Sequence, residues 1–248
     1  MQHFCDIITA RELTQDVFAI TLEAGELGRV AEPGQFLHIK CGDGVFLRRP
    51  ISICDARDGY VKLVFRAIGP GTRWLAEQKR GTLDVLGPLG TGFSLEGRNI
   101  LLVGGGIGVP PLLFAARMTT GLVTAILGFA SAEQVILKDH FRDLCKKLIL
   151  TTDDGSAGEG GFVTGPLERE LQAGGYDAVL ACGPTLMLRA VAELAARYGV
   201  PCQVSLEERM ACGIGACLGC AVAMRDGQNL RACHDGPVFH AEEVKWDG

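Results

Sequence analysis

Apolar and polar positions alternate over short runs in the first third of the chain, at 5–10, 17–22, 36–39, 51–54, 61–67 and 83–86. Turn clusters such as Glu32-Pro33-Gly34 and Arg57-Asp58-Gly59 separate these runs. A period of two over so few residues buries one face of each segment and predicts strands. Six short strands with one brief helix at 72–78 predict an antiparallel β-barrel. After Arg98 the rhythm changes. An apolar strand at 99–103 runs into glycines and a helix ending at Met118, and then come strand 123–129, helix 132–145, strand 147–152, helix 165–173, strand 178–182 and helix 184–198. Such alternation predicts a doubly wound parallel sheet, with ligands held at the carboxyl ends of its strands. The remaining stretch, 207–248, is too short for a core of its own. The expected architecture is multidomain β plus α/β, divided at 1–97, 98–206 and 207–248.

Composition narrows the function. With 48% hydrophobic and 21% charged residues the 248-residue chain has a globular composition, and its 34 glycines imply tight turns or close backbone approaches. The net charge of −5 and the lack of any Lys/Arg block exclude a nucleic-acid binder. The most apolar run, 100–116, is broken by glycines and prolines and is shorter than the ~20 residues of a membrane span. Asp6, Arg11, Glu12 and Asp16 exclude a signal-peptide core at the start, so a cytoplasmic location is expected. Ten cysteines in a reducing compartment point to metal or redox chemistry rather than disulfides.

Cys212, Cys217, Cys220 and Cys233 follow the C-x4-C-x2-C…C spacing of plant-type [2Fe-2S] clusters. Two bridged irons need four thiolates from a loop that wraps them, and Gly213, Gly215, Ala216 and Gly219 leave room for that loop. A turn at Arg225-Asp226-Gly227 would return the chain from Val222 to Cys233 as a hairpin. A structural zinc site is the competing reading, although zinc ligands usually come as two close pairs in sequence. Cys5, Cys41, Cys54, Cys145 and Cys202 read as small core residues. The histidines His3, His38, His140, His234 and His240 are scattered, and His234 reads as an exposed loop residue.

Two loops at strand ends suit a dinucleotide. Gly104-Gly105-Gly106-Ile107-Gly108 follows a buried strand and opens a helix, and Cys182-Gly183-Pro184 through Met187 repeats that placement. Both belong on one edge of the sheet, facing one crevice. No Lys or Arg between 128 and 137 could meet a 2′-phosphate, which favours NAD over NADP. In the barrel, Arg48 and Arg49 with Pro50, Ile51 and Ser52, and then Val64-Phe65-Arg66 and Gly69-Pro70-Gly71-Thr72, put cations and a helix start where a phosphate could bind.

Together these blocks resemble the ferredoxin-reductase-type flavoprotein family over essentially the whole chain. Arg49-Pro50-Ile51-Ser52 is similar to its flavin motif, with Ile51 where many relatives carry tyrosine. The run from Gly105 to Pro111 is similar to its nicotinamide pyrophosphate loop, and Cys182-Gly183-Pro184 with Met187 to its cysteine-glycine-proline motif. The tail from Glu207 to Cys220 resembles one branch, the electron-transfer subunits of type B dihydroorotate dehydrogenases. A related branch carries aspartate at the first cluster position, where this chain has Cys212. The resemblance implies FAD held by Arg49, Pro50, Ile51, Ser52, Val64, Phe65, Arg66, Gly71 and Thr72. It implies NAD(H) held by Gly105, Gly106, Gly108, Pro111, Cys182, Gly183, Pro184 and Met187. It also implies [2Fe-2S] ligation by Cys212, Cys217, Cys220 and Cys233.

On that resemblance the expected function is electron transfer in pyrimidine biosynthesis, from an FMN-containing catalytic subunit through the cluster and FAD to NAD+, in a two-plus-two heterotetramer. Hydride exchange between cofactors asks little of side chains beyond alignment and exclusion of water, in keeping with the lack of any acid-base pair or nucleophilic triad in the sequence. A stand-alone NAD(P)H:ferredoxin-type reductase and a subunit of another electron-bifurcating complex share every motif. A zinc-loaded regulatory module is the non-enzymatic rival.

Overall fold

The computed structural model describes residues 1–246; Asp247 and Gly248, the last two positions of the expected 207–248 segment, lie outside it. Its first part comprises β1 (Gln2–Thr14), β2 (Val17–Glu23), α1 (Leu27–Val30), β3 (Phe36–Ile39), β4 (Arg49–Arg57), β5 (Tyr60–Arg66), α2 (Pro70–Glu77) and β6 (Thr82–Leu89). These six strands close an antiparallel barrel in the order β1-β2-β5-β4-β3-β6. Ile20, Leu22, Leu37, Ile39, Ile53, Leu63 and Val85 fill its interior, which is the apolar half of each alternating run. Register shifts within β1 and β4 mark the irregularities that let a sheet curl shut.

The second part holds β7 (Asn99–Gly105), α3 (Val109–Met118), β8 (Leu122–Phe129), α4 (Lys138–Leu144), β9 (Lys147–Thr152), β10 (Glu159–Gly160), α5 (Thr164–Ala173), β11 (Ala178–Cys182), α6 (Thr185–Arg197) and β12 (Cys202–Ser205). The tail adds β13 (Ala221–Ala223), β14 (Asn229–Arg231) and β15 (Val238–His240). A seven-stranded sheet runs β10-β9-β8-β7-β11-β12-β15, parallel except for β15, which pairs antiparallel with β12. The tail therefore lends a strand to the α/β sheet, while β13 and β14 form the expected hairpin. The helix expected at 132–145 is interrupted. A single 3-10 turn spans Ala132–Gln134, and only Lys138–Leu144 is α-helical. Leu137 takes a left-handed φ of 59°, and with Ile136 it is buried, so the turn between the two pieces carries both apolar side chains into the core.

Three shared cores hold the parts together. Phe114 of α3 is buried among the barrel residues, and a buried phenylalanine stabilises by about 2–3 kcal/mol. The outer barrel residues Val17, Ala19, Cys54 and Val64 pack with Ile100, Leu102 and Leu113 of the α/β part. Arg117 Nε meets Asp55 Oδ1 at 3.0 Å across the same seam. Cys220, Val222, Ala232, Cys233 and Phe239 of the tail share a core with Leu101, Val179, Val204 and the barrel's Phe36. A segment too small for its own core thus borrows its neighbours' cores. No helix among the described residues is long and apolar enough to cross a membrane.

Candidate functional site

Three sequence motifs converge where barrel, sheet and tail meet. On the barrel, Ile53 N–H donates to Gln35 O at 3.0 Å, which puts the β3–β4 ladder bonds at odd-numbered positions. Pro50 falls opposite His38, where no N–H is required, so proline is tolerated within the strand. The two arginines then part company. Arg48 donates to Asp84 Oδ2 at 2.8 Å, to Asp84 O at 2.9 Å and to His38 O at 3.3 Å, which makes it a brace within the barrel wall. Burial works against the Asp84 carboxylate, but hydrogen bonds from Arg48 and Gln2 prevail and hold its pKa below the usual range. Among the described residues Arg49 has no carboxylate partner, and its Nη1 donates only to the carbonyls of Leu47 (2.7 Å) and Arg48 (3.1 Å).

Arg49 lies across the start of α2. A Cβ on Gly71 would come within 2.7 Å of Arg49 Nε, so only glycine lets the guanidinium stem rest on that first turn. Thr72 Oγ1 accepts from Ile68 N–H (3.0 Å) and Gly69 N–H (3.1 Å) and fixes the entry loop. A guanidinium beside free first-turn N–H groups is an anion cradle. Arg66, half-buried at the end of β5, has no hydrogen bond or ion pair among the described residues, and the half-buried Ser52 hydroxyl has none either. By contrast Ile51 and Phe65 are buried with the barrel core, Phe65 stacking on Phe18 at 6.2 Å, and Val64 is buried at the α/β seam. The chemistry of this set, two spare cations and a hydroxyl around a glycine floor, fits the phosphates and ring edge of a flavin dinucleotide.

The two strand-end loops interlock. Cys182 pairs with Gly104 across β11 and β7, and any Cβ on Gly108 would collide with the Cys182 carbonyl. Gly105 is closed over by Met187 Sδ and Pro184 Cδ, so the predicted residues stand in one crevice. Pro110 and Pro111 occupy the first turn of α3, are buried and carry no N–H. Anion contacts at that helix start therefore fall to the Gly106 to Gly108 backbone, and Pro111 shapes the turn from within. Burial pushes the Cys182 thiol up to about 12, with the Glu207 carboxylate adding to the rise. Glu207 opens the tail motif in sequence, but nothing there connected it with Cys182.

In the tail the four cysteines stand as two pairs. Cys220 Sγ and Cys233 Sγ are 3.2 Å apart and buried, and Cys217 stands close to the Cys212 sulfur nearer the surface. No three His, Cys, Asp or Glu side chains among the described residues converge on one point. Burial opposes the Cys212 thiolate, but N–H groups of Ile214, Cys217 and Ala216 aim at its sulfur and bring its pKa down to about 6. Gly215 N–H likewise donates to Cys233 Sγ at 3.1 Å. Arg231 clamps the loop, donating to Gly215 O at 3.1 Å and twice to the Asp235 carboxylate, at 2.8 and 2.9 Å. His234 is exposed, with Nδ1 2.9 Å from Asp235 Oδ1. Two thiol pairs ringed by N–H donors match a centre of two irons that takes two thiolates per iron.

Between these sites lies a residue that no motif marked. His38 is fully buried on β3, and neither ring nitrogen has a hydrogen-bond partner among the described residues. Burial and then Arg48 hold its pKa down to about 4, so the ring is neutral.

Residues 207–245 match the family model of the iron-sulfur cluster binding domain of dihydroorotate dehydrogenase B. The chain is 41% identical over 244 residues to the dihydroorotate dehydrogenase B (NAD(+)) electron transfer subunit of Caldanaerobacter subterraneus subsp. tengcongensis, covering 96% of each chain. It is 43% identical over 254 residues to the subunit of the same name from Shouchella clausii, again covering 96% of each. Among solved structures, a chain of the NADH-dependent reduced ferredoxin-NADP oxidoreductase, described for flavin-based electron bifurcation, superposes with a TM-score of 0.89 at 33% identity, over 98% of this chain and 90% of that one. Phthalate dioxygenase reductase shares the fold, with a TM-score of 0.66 at 16% identity over 90% of this chain and 87% of that one.

Proposed function

This chain belongs to the family of dihydroorotate dehydrogenase B (NAD(+)) electron transfer subunits, and from that premise we propose that it relays electrons to NAD+ from a separate FMN-bearing subunit that oxidises dihydroorotate. It is an oxidoreductase subunit that works with FAD, a [2Fe-2S] cluster and NAD(H). When bound, these groups supply the chemistry: the flavin exchanges a hydride with nicotinamide on one side and single electrons with the cluster on the other.

The protein's own part is holding and shielding. Arg49, Gly71 and Thr72 receive the flavin pyrophosphate at the start of α2, Arg66 adds a second cation, and Ser52 offers its hydroxyl to the ring. Pro50, Ile51, Val64 and Phe65 contribute backbone and the rigid wall behind it. Gly105, Gly106 and Gly108, with Cys182, Gly183, Pro184 and Met187, line the nicotinamide crevice above the buried Pro111. Cys212 with Cys217, and Cys220 with Cys233, each take one iron. On this reading 1–97 carries FAD, 98–206 carries NAD and 207–248 carries the cluster. The complete assembly is a two-plus-two heterotetramer of the pyrimidine pathway, working in the cytoplasm.

The observation that supports this reading most is the pairing of Cys220 with Cys233 within the core shared with the α/β sheet, with Gly215 N–H on the Cys233 sulfur and Cys212 and Cys217 beside them nearer the surface. The test is expression alone and beside an FMN-bearing dihydroorotate dehydrogenase chain. The expected result is two irons, two acid-labile sulfides and one FAD per chain, with dihydroorotate-dependent NAD+ reduction only when both chains are present. A colourless, zinc-loaded protein would overturn the reading. Full activity towards a free ferredoxin, with no second FMN chain retained, would assign the chain instead to a stand-alone reductase.

A further inference from the structure

His38 is fully buried, yet neither Nδ1 nor Nε2 has a hydrogen-bond partner. A buried polar group left unsatisfied costs about 1–3 kcal/mol, so the fold gives up stability to keep an imidazole here. Its place in the structure suggests why. Leu37 and Ile39, its neighbours on β3, point into the barrel, which turns His38 outward. There it shares a face with Pro50, directly opposite on β4, and stands one pair along from Phe36 and Ser52. The cover over that face is Gly213, the residue after Cys212, with a left-handed φ of 72°. A Cβ at Gly213 would lie 2.5 Å from His38 Nδ1 and 3.0 Å from Cε1, so the loop backbone rests directly on the ring. The backbone of Arg48 on one side and that of Cys212 on the other face the ring as well, both short of hydrogen-bond geometry. One side chain thus touches both the strand pair that presents Ser52 and the loop that presents the first cysteine.

Resting on the function proposed above, we infer that His38 is a positioning residue that ties the Cys212 corner of the cluster loop to the flavin-bearing strands, donating its Nδ1–H to the Cys212 carbonyl when the loop closes on its cluster. The unsatisfied ring is then a socket awaiting the loaded loop. Groups one shell beyond a metal ligand fix that ligand's orientation, and losing one typically changes metal-site properties 10- to 100-fold. Hydrogen bonding near the sulfurs also sets a cluster's reduction potential.

The test uses the full chain loaded with FAD and cluster, and three variants. His38→Leu is close in size and has no donor, His38→Asn keeps a donor near the Nδ1 position, and His38→Gln moves it towards the Nε2 position. Iron, sulfide and flavin content are measured first. The cluster midpoint is then followed by potentiometric EPR, and the ratio of cluster to flavin reduction is followed after mixing with NADH. In His38→Leu the midpoint is expected to shift by about tenfold in the reduction equilibrium, about 59 mV for one electron. The reduction-rate ratio is expected to fall about tenfold. His38→Asn restores both, and His38→Gln does not. A fully loaded His38→Leu with parental midpoint and rate ratio overturns the inference, as does identical behaviour of the Asn and Leu variants. Should His38→Leu fail to fold or load, the parent carrying 15N-histidine decides by pulsed EPR of the reduced cluster. A 15N coupling that persists in His234→Asn supports the assignment, and no coupling overturns it. A parent chain that holds no iron overturns the functional reading and this inference together, whereas each of the other failures overturns the inference alone.

Discussion

The nucleotide crevice and the cysteine loop use the same side chain to opposite ends. In the α/β part and the barrel wall, burial drives the thiols of Cys54, Cys182 and Cys202 up to about 12, so they stay protonated and act as small apolar fillers. In the tail, N–H groups converge on Cys212 and bring it down to about 6, whereas the buried Cys233, with a single N–H on its sulfur, is pushed up to about 12. Exposure and several converging backbone donors, rather than the residue type, set Cys212 apart from the packing cysteines. The supports of the two regions differ as well. The crevice is held by backbone against backbone, as at Gly108 and Cys182, whereas the loop depends on the Arg231 clamp and on core borrowed from the sheet.

The strongest way to break this contrast is Cys217→Ser. It is expected to abolish the cluster's visible and EPR signals and electron delivery to the partner, while NADH still reduces the flavin. Loss of flavin reduction as well would mean that the two regions are not separable. Next in size is Gly108→Ala, whose methyl meets the Cys182 carbonyl. Overpacking of this kind costs about 2–3 kcal/mol, or about 6 °C in Tm for a chain of this length. Thermal melts should show that drop with cluster content unchanged. Arg49→Ala removes one charge-assisted contact to the flavin phosphates, worth about 2 kcal/mol, or about 30-fold in FAD affinity. Fluorescence titration of the flavin-free chain measures this directly, and unchanged affinity would move the phosphate site elsewhere.

The smallest effect belongs to Asp84→Asn, which breaks the Arg48 brace below the loop. Both side chains are about one-fifth exposed, and the expected loss is about 1 kcal/mol. Because the folded carboxylate titrates below its ordinary value of about 3.9, its contribution is complete above that pH and fades as the pH falls through the folded value. The difference in Tm between parent and variant should therefore hold steady from pH 5 to 8 and shrink below about pH 4. A difference that grew in acid would assign the stabilisation to some other group.

Much of the architecture was legible because alternation and helical spacing are local properties. The six barrel runs, the parallel strands and the cysteine spacing all came from neighbours in sequence. Short elements that depend on distant partners were not legible. No strand is expected at Cys202–Ser205, after Pro201, until its pairing with β11 is seen, and Val238–His240 becomes a strand only because β12 lies beside it. The interrupted helix at 132–145 was missed because Ile136 and Leu137 fit a helical stripe as well as the buried turn they adopt. Within the site, spacing marked all four cysteines but could not say that they stand as 212 with 217 and 220 with 233. Residue chemistry did not tell Arg48 from Arg49; the flavin motif marked Arg49 alone, and the reach of Asp84 shows what Arg48 does instead. His38 carried no signal at all, since the loop that buries it comes from the far end of the chain.

The antiparallel pairing of Val238–His240 with the rim of the nucleotide sheet has a consequence for movement. A module on a free tether could swing between donor and acceptor like a shuttle. Here the tail is riveted to the α/β sheet by a strand pairing and a common core, which ties the two into one chassis. On the function proposed above, gating of electron flow then falls to the arrival of a neighbouring chain or to the loops lining the crevice, and not to a swinging arm.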